Sequence, residues 1–141
     1  MPDISATQID NLPDVTTLTL PEQKYFDGLP FPLILTPTVA DRSSADWQQW
    51  VRANLEALKS TLIKYGAILF RGFPMDTPED FDLFAKSYGW AEFPYVGGVS
   101  VRSPIVGNVY TSTEAPPDRK IPFHHEIAHA PDYPKVCSIL P

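Results

Sequence analysis

The chain has 141 residues, a length that suits one domain with a hydrophobic core of its own. Hydrophobic residues make up 43% of the chain and charged residues 20%, a balance that excludes a disordered protein. The formal net charge of −6 repels phosphate backbones, so we expect no nucleic acid partner. No apolar run approaches the roughly 20 residues of a membrane-spanning helix, so we expect no membrane partner either.

The amino-terminal segment and the cysteine content bear on the cellular compartment. Residues 1–5 contain no basic stretch followed by an apolar one, so no secretory signal is predicted. Cys137 is the single cysteine and cannot form an internal disulfide, which fits a reducing compartment. We therefore expect a cytoplasmic location, and the sequence gives no indication of the oligomeric state.

Prolines interrupt the first part of the chain at short intervals. Within residues 1–37, only Val15–Leu20 and Leu33–Thr36 have the composition of strands. Residues 1–30 are rich in charged and small side chains, and we predict that they form an irregular arm that wraps a core.

The clearest helix is predicted over residues 44–65. Ser43 or Ser44 can cap its amino terminus, and Gly66 stands where helices commonly end. Apolar residues at steps of three and four predict one buried face: Trp47, Trp50, Val51, Leu55, Leu58, Leu62 and Ile63. A buried strand is predicted next, at Ala67–Phe70.

A second helix is predicted over residues 78–88. Thr77 can cap it, Pro78 suits its first position, and Gly89 follows its end. We interpret the large aromatic side chains of both predicted helices as core: Trp47, Trp50, Phe81 and Phe84. Beyond residue 94, short apolar pieces alternate with turn residues, a pattern that predicts a β region.

All three histidines fall within His124–His129, where two metal-binding motifs overlap. The first motif is the His-x-Glu pair of His124 and Glu126. Side chains two residues apart on a short strand point to the same face. Imidazole and carboxylate together suit iron(II), and they supply two thirds of a facial triad with open positions for oxygen and a co-substrate.

The second motif is His-Glu-x-x-His, formed by His125, Glu126 and His129. On a helix the two histidines would hold zinc and the glutamate would act as general base, as in a zinc-dependent hydrolase. Pro122 and Pro131 leave room for at most two helical turns, so the sequence context favours the first motif. A third interpretation is that the histidines are surface groups of a polar loop, as in a non-catalytic remnant or binding module.

Several segments together resemble the TauD/TfdA family of Fe(II)- and 2-oxoglutarate-dependent dioxygenases, in the branch of SyrP-like and clavaminate synthase-like proteins. Lys64–Phe73 is similar to the family's strand ending in F-R-G-F, and Thr77–Phe84 to the helix start after it. Asn108–Pro117 resembles the segment before the metal site, and Ile121–Glu126 resembles the family's I-x-x-H-x-E. The order and spacing of these segments over residues 30–140 make the resemblance specific.

The resemblance implies an α+β fold, the amino-terminal part of a double-stranded β-helix (jelly-roll) oxygenase with flanking helices. Residues 31–141 would form this partial oxygenase domain. His124 and Glu126 would be the first two iron ligands. The implied activity is hydroxylation of a small organic substrate with O2 and 2-oxoglutarate as co-substrates. Related halogenases leave the carboxylate position open for halide, so Glu126 points to oxygenation.

Two further groups are candidate pocket residues. The segment Thr111, Ser112, Thr113 and Glu114 resembles a stretch that lies near the metal, and its alternative role is a turn before two prolines. Arg102 is a candidate for binding a substrate carboxylate, and its alternative role is a solvated charge at a strand end.

The family's third iron ligand is a distal histidine, and a later arginine binds the C5 carboxylate of 2-oxoglutarate. No histidine follows His129, and Lys135 is the last basic residue, so neither group can be placed. We therefore expect that this chain is truncated and has little or no turnover alone. The substrate cannot be identified, because pocket loops determine it.

Overall fold

The computed structural model describes most of the chain, namely residues 9, 11–93, 102–112, 116, 118, 120–128 and 130–140. The chain divides into two compact units, Met1–Met75 and Asp76–Pro141. Among the described residues there are three helices and three small sheets, which confirms the predicted α+β class. None of these helices is long and apolar enough to cross a membrane. The boundary predicted near residue 30 stays a prediction.

The first unit contains five strands and two helices among its described residues. In chain order they are β1 Val15–Thr17, β2 Lys24–Phe26, β3 Leu29–Phe31, β4 Leu33–Pro37, α1 Ser44–Ala53, α2 Leu55–Tyr65 and β5 Ile68–Phe70. The second unit contains α3 Pro78–Lys86, β6 Pro104–Val106 and β7 Val109–Tyr110.

Strand β4 is the centre of the first unit. It pairs antiparallel with β1 and parallel with β5, so the sheet order is β1-β4-β5. Leu33, Ile34 and Leu35 are each at most 2% exposed, as expected for a strand covered on both faces. Because a parallel pair needs a long crossover, the two helices occupy the connection from β4 to β5.

The prediction of a single helix over residues 44–65 is wrong, because the helix is interrupted at Asn54. This residue has φ −114° and ψ 19°, and its side-chain Nδ2 donates to Trp50 O at 2.8 Å. An asparagine that bonds the nearby backbone competes with helical geometry. The break shifts the phase of the apolar positions. Leu58 is buried as predicted, whereas Ile63 is 76% exposed.

An aromatic cluster fills the core beside α1. The Trp47 ring lies 4.6 Å from the Phe73 ring and 5.4 Å from the Trp50 ring, both in edge-to-face geometry. Trp50 Nε1 donates to Pro13 O at 2.7 Å, which ties the segment before β1 to the helix. The core roles predicted for Trp47, Trp50 and Phe84 are confirmed, and Phe81 is half-buried.

The amino-terminal region has more regular structure than predicted. β1 ends at Thr17, three residues before the end of the predicted strand, and β2 and β3 form a hairpin that we did not predict. Asp27 and Gly28 both adopt positive φ at its turn. An Asp-Gly pair between apolar stretches is a strong hairpin signal, so the sequence did contain the information.

Capping boxes begin α1 and α3. Ser43 Oγ accepts from Asp46 N at 3.2 Å, and Asp46 Oδ2 accepts from Ser43 N at 3.0 Å. Thr77 and Asp80 repeat this arrangement at α3, where Pro78 is the first helical residue. The predicted cap at Thr77 is confirmed, and Ser43 is the cap of α1. Helix α3 ends at Lys86, two residues before the predicted end.

Helix α3 contacts the turn of the hairpin formed by β6 and β7. Asp82 is only 8% exposed, and Lys86 Nζ donates to its Oδ2 at 2.6 Å. The Asp82 carboxylate lies against Gly107, where an added Cβ would stand 2.6 Å from Oδ1. Asn108 Nδ2 donates to Phe93 O at 3.3 Å. The turn of this hairpin is therefore fixed from two sides.

We expect Ser43→Ala to lower the free energy of unfolding by about 1 kcal/mol, because it removes the hydroxyl that caps α1. The Ser43 side-chain hydrogen bond holds the pKa of Asp46 below its usual 3.8. The ionised Asp46 carboxylate therefore contributes its full stabilisation above pH 3.8, the usual pKa. This contribution is lost as the pH falls through the lower pKa that Asp46 has in the folded protein. Urea unfolding at several pH values measures this, with Ser60→Ala, an exposed position in α2, as control.

We expect Gly107→Ala to destabilise the protein by more than about 2 kcal/mol. The residue has φ +53°, and the new methyl would overlap the Asp82 carboxylate. Gly89→Ala is the matched control, since Gly89 has φ +66° and no atom within 4 Å of its added Cβ. The control retains only the backbone strain, about 1 kcal/mol. Equal losses in the two variants would show that the Asp82 contact is unimportant.

Candidate metal centre

The segment that carries the His-x-Glu pair is neither strand nor helix. Residues 121–125 have no regular structure, and residues 126–128 form a turn. Within the turn, Ile127 has φ +53° and is 8% exposed, so it anchors the segment. The strand predicted for His124 and Glu126 is therefore wrong. The backbone satisfies itself locally, as in the bond from Ala130 N to Ile127 O at 3.1 Å.

The same turn bears on the His-Glu-x-x-His motif. A helix through His125 and Glu126 would require right-handed geometry at Ile127, and its positive φ interrupts that geometry. The helix that the zinc interpretation needs is therefore not formed within residues 121–128. His129 lies outside the described residues.

His124 is oriented by a short contact with the backbone. Its Nδ1 lies 2.9 Å from Pro122 O. A carbonyl oxygen can only accept, so Nδ1 carries the hydrogen and a neutral ring keeps the lone pair on Nε2. Metal-binding histidines commonly donate their other ring N–H to a backbone carbonyl, which fixes both the tautomer and the ring direction.

The second ring nitrogen of His124, Nε2, faces Glu126. His124 Nε2 and Glu126 Oε1 are 3.9 Å apart, and both side chains are exposed enough for a ligand to approach. Two donors that bind one ion at right angles lie about 3 Å apart, so the observed separation is about 1 Å longer than a shared metal requires. The donor chemistry, imidazole nitrogen with carboxylate oxygen, fits iron(II).

The described part of the chain supplies this pair of donors and no larger cluster. No group of three or more histidine, cysteine, aspartate or glutamate side chains converges on a point among the described residues. The described residues therefore supply only part of the ligands that a metal site needs.

Arg102 is brought close to this pair. Its Nη2 lies 3.6 Å from Glu126 Oε2, which makes an ion pair that is too long for a direct hydrogen bond. The Arg102 side chain is 24% exposed, so it is not the freely solvated charge that was one of its two expected roles. Binding of a substrate carboxylate by Arg102 stays a prediction.

The hydroxyl of Thr111 supports the hairpin that precedes the pair. Thr111 Oγ1 accepts from Ser103 N at 2.9 Å, and Thr111 N donates to Ser103 O at 2.9 Å. These bonds extend the pairing of β6 and β7 by one position, next to Arg102. The predicted pocket role of Thr111 and Ser112 stays a prediction, and Thr113 and Glu114 lie outside the described residues.

Cys137 is a neighbour of the site that the sequence did not reveal. Partial burial raises the pKa of its thiol, the charge of Glu126 raises it further, and the charge of Arg102 lowers it. The thiol is therefore close enough to both groups to respond to their charges. It follows Glu126 in an irregular stretch without periodicity, so no sequence signal could have placed it there.

Comparison with known proteins identifies the family. The sequence pattern described as "Taurine catabolism dioxygenase TauD, TfdA family" matches residues 34–140. A clavaminate synthase-like protein of Arabidopsis thaliana is 39% identical over 131 residues, which cover 86% of this chain. The match spans 40% of that protein's length. The predicted resemblance is confirmed, and the chain belongs to the TauD/TfdA dioxygenase family.

Proposed function

We propose that His124 and Glu126 are two metal ligands of an Fe(II)- and 2-oxoglutarate-dependent oxygenase that hydroxylates a small organic substrate. The observation that carries this proposal is the 3.9 Å separation of His124 Nε2 and Glu126 Oε1, with the other ring nitrogen 2.9 Å from Pro122 O. Family membership supports the reaction class.

The role of the protein in this reaction is to hold and orient the reactants. When bound, iron would supply activation of O2, coupled to oxidative decarboxylation of 2-oxoglutarate to succinate. His124 and Glu126 would hold the metal on one side and leave its other positions accessible. Because Glu126 would occupy the position that related halogenases leave open for halide, the proposal specifies oxygenation.

The proposal requires groups beyond this pair. The family resemblance calls for a third ligand, a histidine, and for an arginine that binds the C5 carboxylate of 2-oxoglutarate. Residues 130–141 contain neither residue type. We therefore expect little or no turnover from these 141 residues by themselves. The jelly-roll framework is likewise part of the proposal, since the described sheets contain only two or three strands each.

We expect His124→Ala and Glu126→Ala each to weaken iron(II) binding by at least about 100-fold, because ligand loss exceeds the 10- to 100-fold effect of removing a supporting partner. Anaerobic titration with Fe(II), or with Co(II) as a redox-stable substitute, measures the affinity. A thermal unfolding curve for each variant separates ligand loss from misfolding.

The matched control is His125→Ala, which removes an adjacent exposed imidazole that the proposal does not use. It should bind metal as the unaltered protein does. A protein that prefers zinc, loses it in His125→Ala and keeps it in His124→Ala would support the hydrolase interpretation. Absence of iron binding in the unaltered protein would favour a non-catalytic module.

A further inference from the structure

The hairpin of β2 and β3 exposes aromatic side chains on both of its faces. Alternation along β2 places Tyr25 on one face and Lys24 with Phe26 on the other. Tyr25 is 56% exposed and Phe26 is 60% exposed, and the Phe26 ring packs edge-to-face on Phe31 with the ring centroids 5.8 Å apart. Grouped aromatic side chains that remain exposed commonly mark an interaction surface.

The outer edge of β2 is open. Tyr25 lies opposite Pro30, which has no N–H, so these two residues exchange no hydrogen bonds and the N–H and C=O of Tyr25 point away from β3. Neither group has a hydrogen-bond partner within the part of the chain that the structure describes. An open edge of this kind pairs readily with a strand of another molecule.

We propose that β2 pairs with β2 of a second copy of this chain, antiparallel and about a two-fold axis at Tyr25. In this register the two Tyr25 residues exchange two hydrogen bonds, because their N–H and C=O groups face each other. Lys24 lies opposite Phe26 of the second copy and Phe26 opposite its Lys24, which is the reciprocity of an isologous contact. The two hairpins together form a four-stranded sheet.

The side chains of β2 are complementary to themselves in this register. Lys24 already lies opposite Phe31 within the hairpin, so the second copy brings Phe26 to its other side. A lysine between two aromatic side chains gains favourable cation–π contacts. Over residues 22–28 no two like charges lie opposite each other, although the chain carries a net charge of −6. This self-complementarity favours a second copy over an unrelated strand.

Neighbouring registers are disfavoured by charge or by the end of the strand. Because the outward-facing groups alternate along β2, the register shifts only in steps of two residues. A shift towards the amino terminus sets Lys24 opposite Lys24 of the second copy, which is repulsive. A shift towards the carboxyl terminus sets Tyr25 opposite Asp27, which lies in the turn with φ +50° and does not continue a strand.

Sedimentation equilibrium of the full chain tests this pairing. We expect the average mass to rise with concentration from the 15.8 kDa of one chain towards twice that mass. Tyr25→Pro removes the outward N–H but no hydrogen bond of the hairpin, so it should raise the dimer dissociation constant at least about 10-fold by removing both bonds across the axis. A single-chain mass at every concentration up to about 1 mM would overturn the proposal, as would an unweakened dimer in Tyr25→Pro.

Two charge variants test the register and give the answer if Tyr25→Pro does not fold. Phe26→Lys sets two lysines opposite each other at both symmetry-related places and should raise the dissociation constant about 10-fold. Adding Lys24→Glu puts opposite charges at those places and should restore the dimer, which a misfolded hairpin could not do. Ile63→Lys, the same change at a position of α2 that is 76% exposed, should leave the dissociation constant unchanged. Failure of the double variant to restore the dimer, or equal weakening by Ile63→Lys, would contradict the proposal.

Discussion

The double coverage of β4 is the constraint around which the first unit is arranged. β4 has a neighbouring strand on each edge and apolar side chains on both faces. The connection from β4 to a parallel neighbour must therefore cross one face of the sheet. The segment between Pro37 and Ile68 makes this crossover with the helices α1 and α2. The Trp47 ring of α1 packs against the Phe73 ring, which follows β5. Hydrophobic burial thus accounts for the helical crossover of this unit.

The candidate metal centre, in contrast, does not depend on strand pairing. Its residues lie on a segment with no ladder, so the side chains are positioned one by one. Ile127 fixes the backbone by burial, Pro122 O orients the imidazole of His124, and Arg102 Nη2 lies 3.6 Å from Glu126 Oε2. A site of this kind keeps its donors accessible to solvent and ligands, which a fully paired strand in a packed sheet does not.

Local signals in the sequence predicted local structure well. The cap at Thr77 was predicted from residue chemistry alone, and the cap of α1 was narrowed to Ser43 or Ser44. The strand predicted at Ala67–Phe70 is observed at Ile68–Phe70, and the family follows from the order of several short segments. Asn54 was missed because a mid-helix asparagine is compatible with either outcome until its side chain finds a carbonyl. The ion pair of Arg102 and Glu126 joins residues 24 positions apart, and no periodic pattern encodes such a contact.

The hydrogen bond between His124 and Pro122 joins residues only two positions apart. Contacts of such short range carry a small loop-closure entropy, whereas the contact with Arg102 requires the hairpin to be in place. The two halves of the candidate centre therefore differ in cooperativity. The orientation of the His124 imidazole depends only on neighbouring residues and should persist when the rest of the second unit is partly unfolded. The orientation of the Glu126 carboxylate depends on the folded hairpin and should be lost with it.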